Sequence, residues 1–210
     1  MLTEPSDWSP QSHVSVHASQ FTEIATPIDS DSLILVDEWD RNIGYMSKAD
    51  CHRGSGALHR AFSVLIFNDL GELLLQQRAA SKPLWPNYWS NSCCSHPRQA
   101  ETMEAAIDRR LREELGVSCP VHFLFKFQYQ ARFDANHAEY EMCSVYIGRC
   151  SARLRINWNE ILAWRWICPE ALQLEMAGAK HFTPWFILEW GRIWRDHRSD
   201  LLALQEESYI

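Results

Sequence analysis

The spacing of apolar residues along the chain predicts a mixture of helices and strands. Between residues 101 and 115, four apolar residues recur at every fourth position: Met103, Ile107, Leu111 and Leu115. This repeat predicts a helix with one buried face, and Gly116 is typical of the residue that ends such a helix. Further apolar patterns predict a short helix at residues 169–179 and a long aromatic helix from residue 184 to about residue 204.

Short apolar runs separated by turn residues predict an extended sheet. The runs lie at residues 32–36, 43–46, 60–67, 72–78, 123–133, 142–149 and 159–166. Acidic residues and glycine connect the first run to the second, and the segment 68–71 does the same for the next two, so each of these pairs is expected to form a hairpin. Strand pairs followed by a helix, then by more strands and helices, predict an α+β fold in which helices flank a mixed sheet as an α/β sandwich.

Length and composition favour one globular domain with an N-terminal extension. The chain has 210 residues, of which 46% are hydrophobic, enough for a substantial core. Residues 1–30 are rich in Ser, Thr, Pro and His and have no apolar repeat, so we expect a mobile arm followed by a single domain at residues 31–210. No apolar run approaches the length of a membrane span, and a role in a membrane is not expected.

The net charge and the cysteines indicate which binding partners and which cellular compartment to expect. The net charge of −7, without a run of basic residues, argues against a nucleic-acid partner. The first basic residue is Arg41, so the N-terminus resembles neither a secretion signal nor a mitochondrial transit peptide. Seven cysteines without a CxxC motif fit free thiols in a reducing compartment. We therefore expect a cytoplasmic protein.

The segment at residues 91–97, Asn-Ser-Cys-Cys-Ser-His-Pro, is the first candidate for chemistry. It places the Cys94 thiol two residues from the His96 imidazole, so an acid or nucleophile and a metal ligand share one loop. Two small buried cysteines next to a helix start explain the segment equally well at this point. His52 and His59, seven residues apart among glycines, are weak metal candidates by themselves.

Several short motifs, taken in their order, resemble the type I isopentenyl-diphosphate isomerases of the Nudix superfamily. The motifs are Leu-Leu-Gln-Gln-Arg at 74–78, the segment at 91–97, Arg-Arg-Leu-Arg-Glu-Glu-Leu-Gly at 109–116, Glu-Tyr-Glu at 139–141 and Thr-Pro-Trp at 183–185. His52 and the segment His-Arg-Ala-Phe-Ser at 59–63 extend the likeness upstream, so that it covers roughly residues 32–195. Each motif is unspecific alone, and their combination is specific.

One position departs from the general Nudix motif in an informative way. That motif reads Arg-Glu-Leu-x-Glu-Glu-x-Gly, and its glutamates gather the divalent metals that activate water for hydrolysis. Here Arg110 replaces the first glutamate. The exchange removes a metal ligand and adds a cation, which favours binding of a diphosphate without its cleavage.

The resemblance implies an enzyme that interconverts isopentenyl diphosphate and dimethylallyl diphosphate, as a step in isoprenoid biosynthesis. Protonation at one carbon and deprotonation at another would pass through a carbocation-like intermediate. By their match to the family, Cys94 is expected on one side of the substrate, Glu141 with Tyr129 on the other, and the Trp185 indole beside the developing cation. Cys93 is expected to point away from the substrate and into the core, since neighbouring residues of an extended chain face opposite directions.

The resemblance also implies two metal ions and a set of cations for the diphosphate. A divalent ion, Mn²⁺ or Zn²⁺, would be held by three histidines and two glutamates: His52, His59, His96, Glu139 and Glu141. A Mg²⁺ ion bound with the diphosphate would contact Glu114 and the backbone carbonyl of Cys94, and the diphosphate would bind Arg78, Lys82 and Arg110. The expected partner is this small molecule, and the expected state is a monomer or a weak homodimer.

Two other functions stay open at this point. A Nudix pyrophosphohydrolase that cleaves a nucleoside diphosphate derivative would use the same fold, although Arg110 and the Cys94 and His96 pair argue against it. A catalytically silent, metal-stabilised binding module would also retain the fold. The complete set of candidate acid, base and phosphate-binding cations argues against this second alternative.

Overall fold

The computed structural model describes residues 32–178 and 181–206. Its strands are β1 (Ser32–Val36), β2 (Asn42–Ser47), β3 (His59–Phe67), β4 (Leu73–Arg78), β5 (Trp89–Ser90), β6 (Cys93–Ser95), β7 (Val121–Arg132), β8 (Ala138–Arg149) and β9 (Ile161–Ile167). Its helices are α1 (Lys48–Cys51), α2 (Met103–Leu115), α3 (Pro169–Gly178), α4 (Pro184–Asp196) and α5 (Arg198–Glu206). The N-terminal arm expected at residues 1–30 lies outside the described residues. None of the described helices is long and apolar enough to cross a membrane.

The strands form one mixed sheet around β3, which confirms the expected fold class. β8 runs parallel to β3 along its whole length, and β7 pairs antiparallel with the other edge of β8. The opposite edge of β3 is shared by β1, β6 and β4, which pair with successive parts of it. β2 pairs with β1, as expected for the first hairpin, and β4 pairs with β5 and β9.

The second expected hairpin is wrong in its extent. β3 and β4 meet at a single residue pair, Phe67 with Leu73, and β4 then continues along β9. The physical reason is that β6 occupies this edge of β3, with Cys94 opposite Ser63. At three residues, β6 is too short for its apolar repeat to be recognised in the sequence.

The long C-terminal helix expected from residue 184 is two helices. α4 ends at Asp196. The following residue, His197, has a φ of −127° and a ψ of 23°, which are not helical, and α5 begins at Arg198. The His197 ring stacks on Phe125 of β7 with ring centroids 5.0 Å apart. The bend therefore lets both helices follow the face of the sheet.

Side chains that alternate along β3 build two apolar cores on opposite faces of the sheet. Phe62, Val64 and Ile66 pack with one face of α2, where Ile107, Leu111 and Leu115 confirm the helical repeat expected from the sequence. Ala61, Leu65 and Phe67 lie in the other core, which includes α4 and α5. The sheet is thus covered by helices on both faces, and we call its two sides the α2 face and the α4 face.

We predict that Leu111→Ala destabilises the protein by about 2–5 kcal/mol, because it opens a cavity in a closely packed core. Leu111 is fully buried, whereas Leu174 on α3 is 77% exposed and provides a matched control. Leu174→Ala should change the free energy of unfolding by no more than about 0.5 kcal/mol. Urea denaturation measures both, and equal effects of the two substitutions would contradict the described packing.

Candidate active site

The strand register brings distant residues together at one end of the α4 face. In the parallel β3 and β8 pair, His59 lies opposite Glu141, and in the β7 and β8 pair Tyr129 also lies opposite Glu141. β6 carries the chain to His96, which directly follows it, and His52 is the residue that ends α1. Five separate segments therefore deliver polar side chains to a single place.

Three histidines and two glutamates form a compact buried cluster there. Ligand atoms of His52, His59, His96 and Glu139 lie within 4.8 Å of one another. His52 Nε2 lies 2.9 Å from Glu139 Oε2, and His96 Nε2 lies 2.9 Å from Glu141 Oε1. His59 Nε2 is 3.8 Å from Glu141 Oε1. All five residues expected from the resemblance to bind a metal are thus neighbours.

The donor set of this cluster fits a divalent metal ion. Within the described part of the chain, the buried atoms His52 Nε2, His59 Nε2 and Glu139 Oε2 have no partner with hydrogen-bond geometry, which is costly unless a ligand satisfies them. His59 Nδ1 donates to the Ala57 carbonyl at 2.8 Å, so that Nε2 presents its lone pair to the cluster. Burial lowers the pKa of both His52 and His59 to about 4, and these imidazoles are neutral as metal ligation requires.

The two carboxylates of the cluster differ in their surroundings. Burial, followed by repulsion from Glu141, raises the pKa of Glu139 well above its ordinary value. Glu141 accepts a 2.8 Å hydrogen bond from the Tyr129 hydroxyl at Oε2, while Oε1 faces His96. Burial and the nearby Glu141 raise the pKa of Tyr129, so the phenol keeps its proton. Glu141 is therefore the carboxylate that links the cluster to a proton-bearing neighbour.

The two adjacent cysteines of β6 face opposite sides of the sheet. Cys93 is fully buried in the core of the α2 face, as expected. Cys94 packs against the core of the α4 face and lines a cavity together with Glu141 and Tyr129. Burial raises the pKa of Cys94 to about 12, and the thiol is protonated at neutral pH.

This cavity encloses about 70 Å³ and collects most of the expected site residues. Its walls carry the Cys94 thiol, the Glu141 and Tyr129 pair, the Trp185 indole and four cations: Lys48, Arg78, Lys82 and Arg110. A larger surface groove near residues 68–70 and 150–156 has a volume of about 780 Å³, but its described residues contain no comparable metal-ligand cluster. Chemistry rather than size therefore identifies the candidate site.

The cations differ in how they are held. The guanidinium of Arg78 donates to the carbonyls of Leu84 and Trp85, and within the described part of the chain it pairs with no carboxylate. Lys82 and Arg110 both reach Glu160, and Arg110 also forms ion pairs with Glu113 and Glu114. Of the three cations expected from the sequence, Arg78 is thus the most available to an anionic ligand.

Glu114 does not line the cavity. It is buried behind Arg110, and its second carboxylate oxygen accepts from Gln76 Nε2 at 3.2 Å. Arg110 and Glu114, four residues apart on α2, form an ion pair that is buried and connected to the cavity through Arg110. Contact of Glu114 with a ligand in the cavity requires Arg110 to move.

Trp185, the second residue of α4, is 4% exposed and presents its ring to the cavity. The rings of Trp185 and Trp85 pack edge to face with centroids 5.3 Å apart, and the centroid of the Tyr129 ring lies 6.4 Å from that of Trp185. The Arg78 guanidinium lies 5.3 Å from the indole centroid. The indole face is therefore already positioned beside a cation.

The sequence reasoning missed Lys48 and Cys143, which both line the cavity. Burial, together with repulsion from Lys82, lowers the pKa of Lys48. Lys48 precedes His52 by one helical turn, and recognition of α1 would have placed the two side chains near each other. Cys143 follows Glu141 by two residues in β8, and the alternation of a strand puts both on one face.

Comparison with known proteins agrees with this geometry. The NUDIX domain family matches residues 57–186. The chain is 41% identical over 170 residues to isopentenyl-diphosphate Delta-isomerase 1 of Photorhabdus laumondii, covering 80% of this chain and 97% of that protein. It is 42% identical over 155 residues to isopentenyl-diphosphate Delta-isomerase of Burkholderia multivorans, covering 73% of this chain and 88% of that protein.

Among solved structures, the protein DR0079 of Deinococcus radiodurans superimposes with a TM-score of 0.65 at 26% identity, covering 78% of this chain and 99% of that chain. The MutT protein of Methanosarcina mazei has a TM-score of 0.57 at 17% identity, covering 67% of this chain and 96% of that chain, and shares the fold. The domain match, the sequence relatives and the fold agree, and the chain belongs to the isopentenyl-diphosphate Delta-isomerases of the NUDIX domain family.

Proposed function

We propose that this chain catalyses the interconversion of isopentenyl diphosphate and dimethylallyl diphosphate. The observation that carries the proposal is the placement of two proton-bearing groups around one small buried cavity. The Cys94 thiol and the Glu141 and Tyr129 pair both line it, and Trp185 lies beside them. Such a cavity fits a reaction that adds a proton to one carbon of a small alkene and removes a proton from another.

The enclosure of the site supports this chemistry. An alkene is a weak base, and its protonation yields a carbocation-like species that water would trap. Burial of Cys94 and Tyr129 keeps bulk water from the reacting carbons and keeps the thiol and phenol protonated. We propose that Cys94 and the Glu141 and Tyr129 pair exchange protons with the substrate, one as donor and the other as acceptor. The Trp185 ring face then stabilises the cation between them, by roughly 0.5–2 kcal/mol.

The cations of the cavity support recognition of a diphosphate. We propose that Arg78, Lys82 and Arg110 bind its oxygens, and Lys48 is added to them because it lines the same cavity. A Mg²⁺ ion bound with the diphosphate would contact Glu114 and the backbone carbonyl of Cys94. Since Glu114 is paired with Arg110, we expect Arg110 to move toward the diphosphate when substrate binds.

We propose that His52, His59, His96, Glu139 and Glu141 hold a second divalent ion, Mn²⁺ or Zn²⁺. The mixture of imidazole nitrogens and carboxylate oxygens suits these ions better than Ca²⁺. A bound ion would satisfy the unpartnered ligand atoms, tune the acidity of Glu141 and fix its position. Hydrolysis of a pyrophosphate bond is disfavoured, because Arg110 neutralises the neighbouring carboxylates Glu113 and Glu114 that a hydrolytic metal site would need.

The free thiols and the proposed substrate indicate the cellular compartment and the binding partner. All seven cysteines are unbridged, which supports a reducing compartment such as the cytoplasm. A water-soluble diphosphate is the proposed partner. We propose that residues 31–210 act as one domain, in a monomer or a weak homodimer.

The proposed activity is tested by proton NMR of the protein with isopentenyl diphosphate and Mg²⁺ in deuterated buffer. We expect signals of dimethylallyl diphosphate and incorporation of deuterium. Cys94→Ala should lower turnover at least about 100-fold, because a group that transfers a proton is lost. Cys93→Ala is the matched control and should retain turnover, since Cys93 faces the other core. An unchanged spectrum with wild-type protein would refute the activity, and equal losses in both variants would refute the role of Cys94.

Arg78→Gln is expected to raise the KM for isopentenyl diphosphate about tenfold or more, because it removes a charge-assisted contact to the diphosphate. Arg112 serves as the control, since this exposed arginine of α2 pairs with Asp108 away from the cavity. Arg112→Gln should leave the KM within about twofold of the wild-type value. Steady-state kinetics would speak against the proposed diphosphate site if the two variants behaved alike.

Metal binding is expected to depend on the buried histidines. His59→Asn should weaken the affinity of metal-free protein for Mn²⁺ or Zn²⁺ about 10–100-fold, because one of the proposed ligands is lost. His122, an exposed histidine of β7, provides the control. Calorimetric titration of both variants measures the effect, and a loss of affinity in His122→Asn alone would contradict the proposed ligand set.

A further inference from the structure

A buried hydrogen-bond network connects the Trp185 indole to the strand that carries Cys94. The indole Nε1 donates to Ser90 Oγ at 3.1 Å and to Asn91 Oδ1 at 3.3 Å. Ser90 Oγ in turn donates to Asn91 Oδ1 at 2.8 Å and lies 2.9 Å from Thr183 Oγ1. Ser90, Asn91 and Thr183 are each fully buried, so that water does not compete for these contacts.

The orientation of the Asn91 amide follows from its other partners. Asn91 Nδ2 donates to the Cys93 carbonyl at 2.8 Å and to Ser63 Oγ at 2.7 Å, and a third acceptor is the Val64 carbonyl at 3.3 Å. Because these are acceptors, the nitrogen of the amide must face them and the oxygen must face Trp185. Asn91 therefore ties α4 to the backbone of the residue just before Cys94.

At the far end of the network, the hydrogen-bond roles of the Ser63 hydroxyl follow from its two partners. Ser63 Oγ donates to Glu189 Oε2 at 2.7 Å, which leaves a lone pair of Ser63 to accept from Asn91. Glu189 lies on α4 four residues after Trp185, and it is fully buried. The helix that carries the indole is thus attached to the sheet at both of these residues.

We propose that Ser90 and Asn91 are positioning residues that set the indole of Trp185 relative to Cys94. The inference rests on the proposed isomerase function, in which the indole face stabilises a cation formed beside the thiol. The stabilisation depends on the distance and tilt of the ring, and an error of about 1 Å in such a site can cost up to about 100-fold in rate. Two hydrogen bonds at the ring nitrogen restrict that tilt.

A purely structural role is the competing explanation, because any buried hydroxyl must find partners for the protein to be stable. The chain supplies a matched control in Ser92. This serine lies two residues from Ser90 and is equally buried, but its hydroxyl donates to the Leu74 carbonyl at 2.7 Å and accepts from the Ile66 amide at 2.8 Å. Ser92 therefore bridges strands, whereas the described hydrogen bonds of the Trp185 indole go to Ser90 and Asn91.

The test compares Ser90→Ala with Ser92→Ala in the full-length protein. Ser90→Ala should lower kcat about tenfold and leave the KM for isopentenyl diphosphate within about twofold, since the cations that bind the diphosphate are untouched. Ser92→Ala should lower the unfolding temperature at least as much and leave kcat within about twofold. Asn91→Asp keeps the shape but removes both N–H donors, and it should lower kcat further than Ser90→Ala.

The position of the ring is measured separately from activity by ¹⁵N–¹H NMR of the tryptophan indole groups. The chain has ten tryptophans, and the Trp185 signal is identified by its loss in Trp185→Phe. Ser90→Ala should shift that signal upfield, whereas Ser92→Ala should not. If the Trp185 signal stays in place and kcat falls equally in both serine variants, the positioning role is wrong. Absence of isomerase turnover in the wild-type protein would refute the proposed function, while the NMR shift would still test the positioning.

Discussion

The parallel pairing of β3 with β8 is the constraint on which the rest of the site depends. Nine residues of β3 pair in register with β8, so that His59 lies opposite Glu141 and Ala61 opposite Cys143. Because strand side chains alternate, a shift by one residue would turn His59 away from the carboxylates. The antiparallel pairing of β6 with the other edge of β3 then brings Cys94 to the same face. One central strand therefore fixes the histidine and glutamate cluster and the thiol together.

Burial sets the protonation of the site and limits what it can do. It keeps His52 and His59 neutral, as metal ligands must be, and it keeps the thiol and phenol protonated. The same burial makes two neighbouring carboxylates costly unless a cation compensates them. On α2, Arg110 occupies the position of a metal-binding glutamate and pairs with the glutamates that remain. This balance of charge supports the proposal of one metal ion at the histidine cluster and of side-chain cations that bind the diphosphate.

The sequence predicts some parts of this protein from physical pattern alone. Helix α2 is predicted because four apolar residues recur at every fourth position, and three of them, Ile107, Leu111 and Leu115, are buried. The fold class follows from the order of strands and helices. The predicted extent of the second hairpin and the prediction of one long C-terminal helix are wrong, because both structures depend on contacts with distant segments. β6 blocks the pairing of β4 with β3, and His197 bends the chain against Phe125. Tertiary contacts of this kind leave no local repeat.

The site residues could be predicted only from the family resemblance, because residues that meet in space come from separate stretches of the chain. His52 and Glu139 approach to 2.9 Å, yet nothing in their spacing indicates contact. Lys48 was missed because α1, with four residues, is too short to show a helical repeat. The network around Asn91 was missed because hydrogen-bond partners depend on orientation, which residue identities do not give. The resemblance implies a role for each site residue, and the strand register explains why these residues are neighbours.

The measurement that tests the account most directly is X-ray diffraction from crystals soaked in Mn²⁺, recorded where manganese scatters anomalously. We expect one strong anomalous peak in the absence of diphosphate, among Nε2 of His52, His59 and His96 and the carboxylates of Glu139 and Glu141. A peak located instead on the α2 glutamates Glu113 and Glu114, with the histidine cluster empty, would contradict it. That result would place the metal where hydrolysis of a pyrophosphate bond requires it.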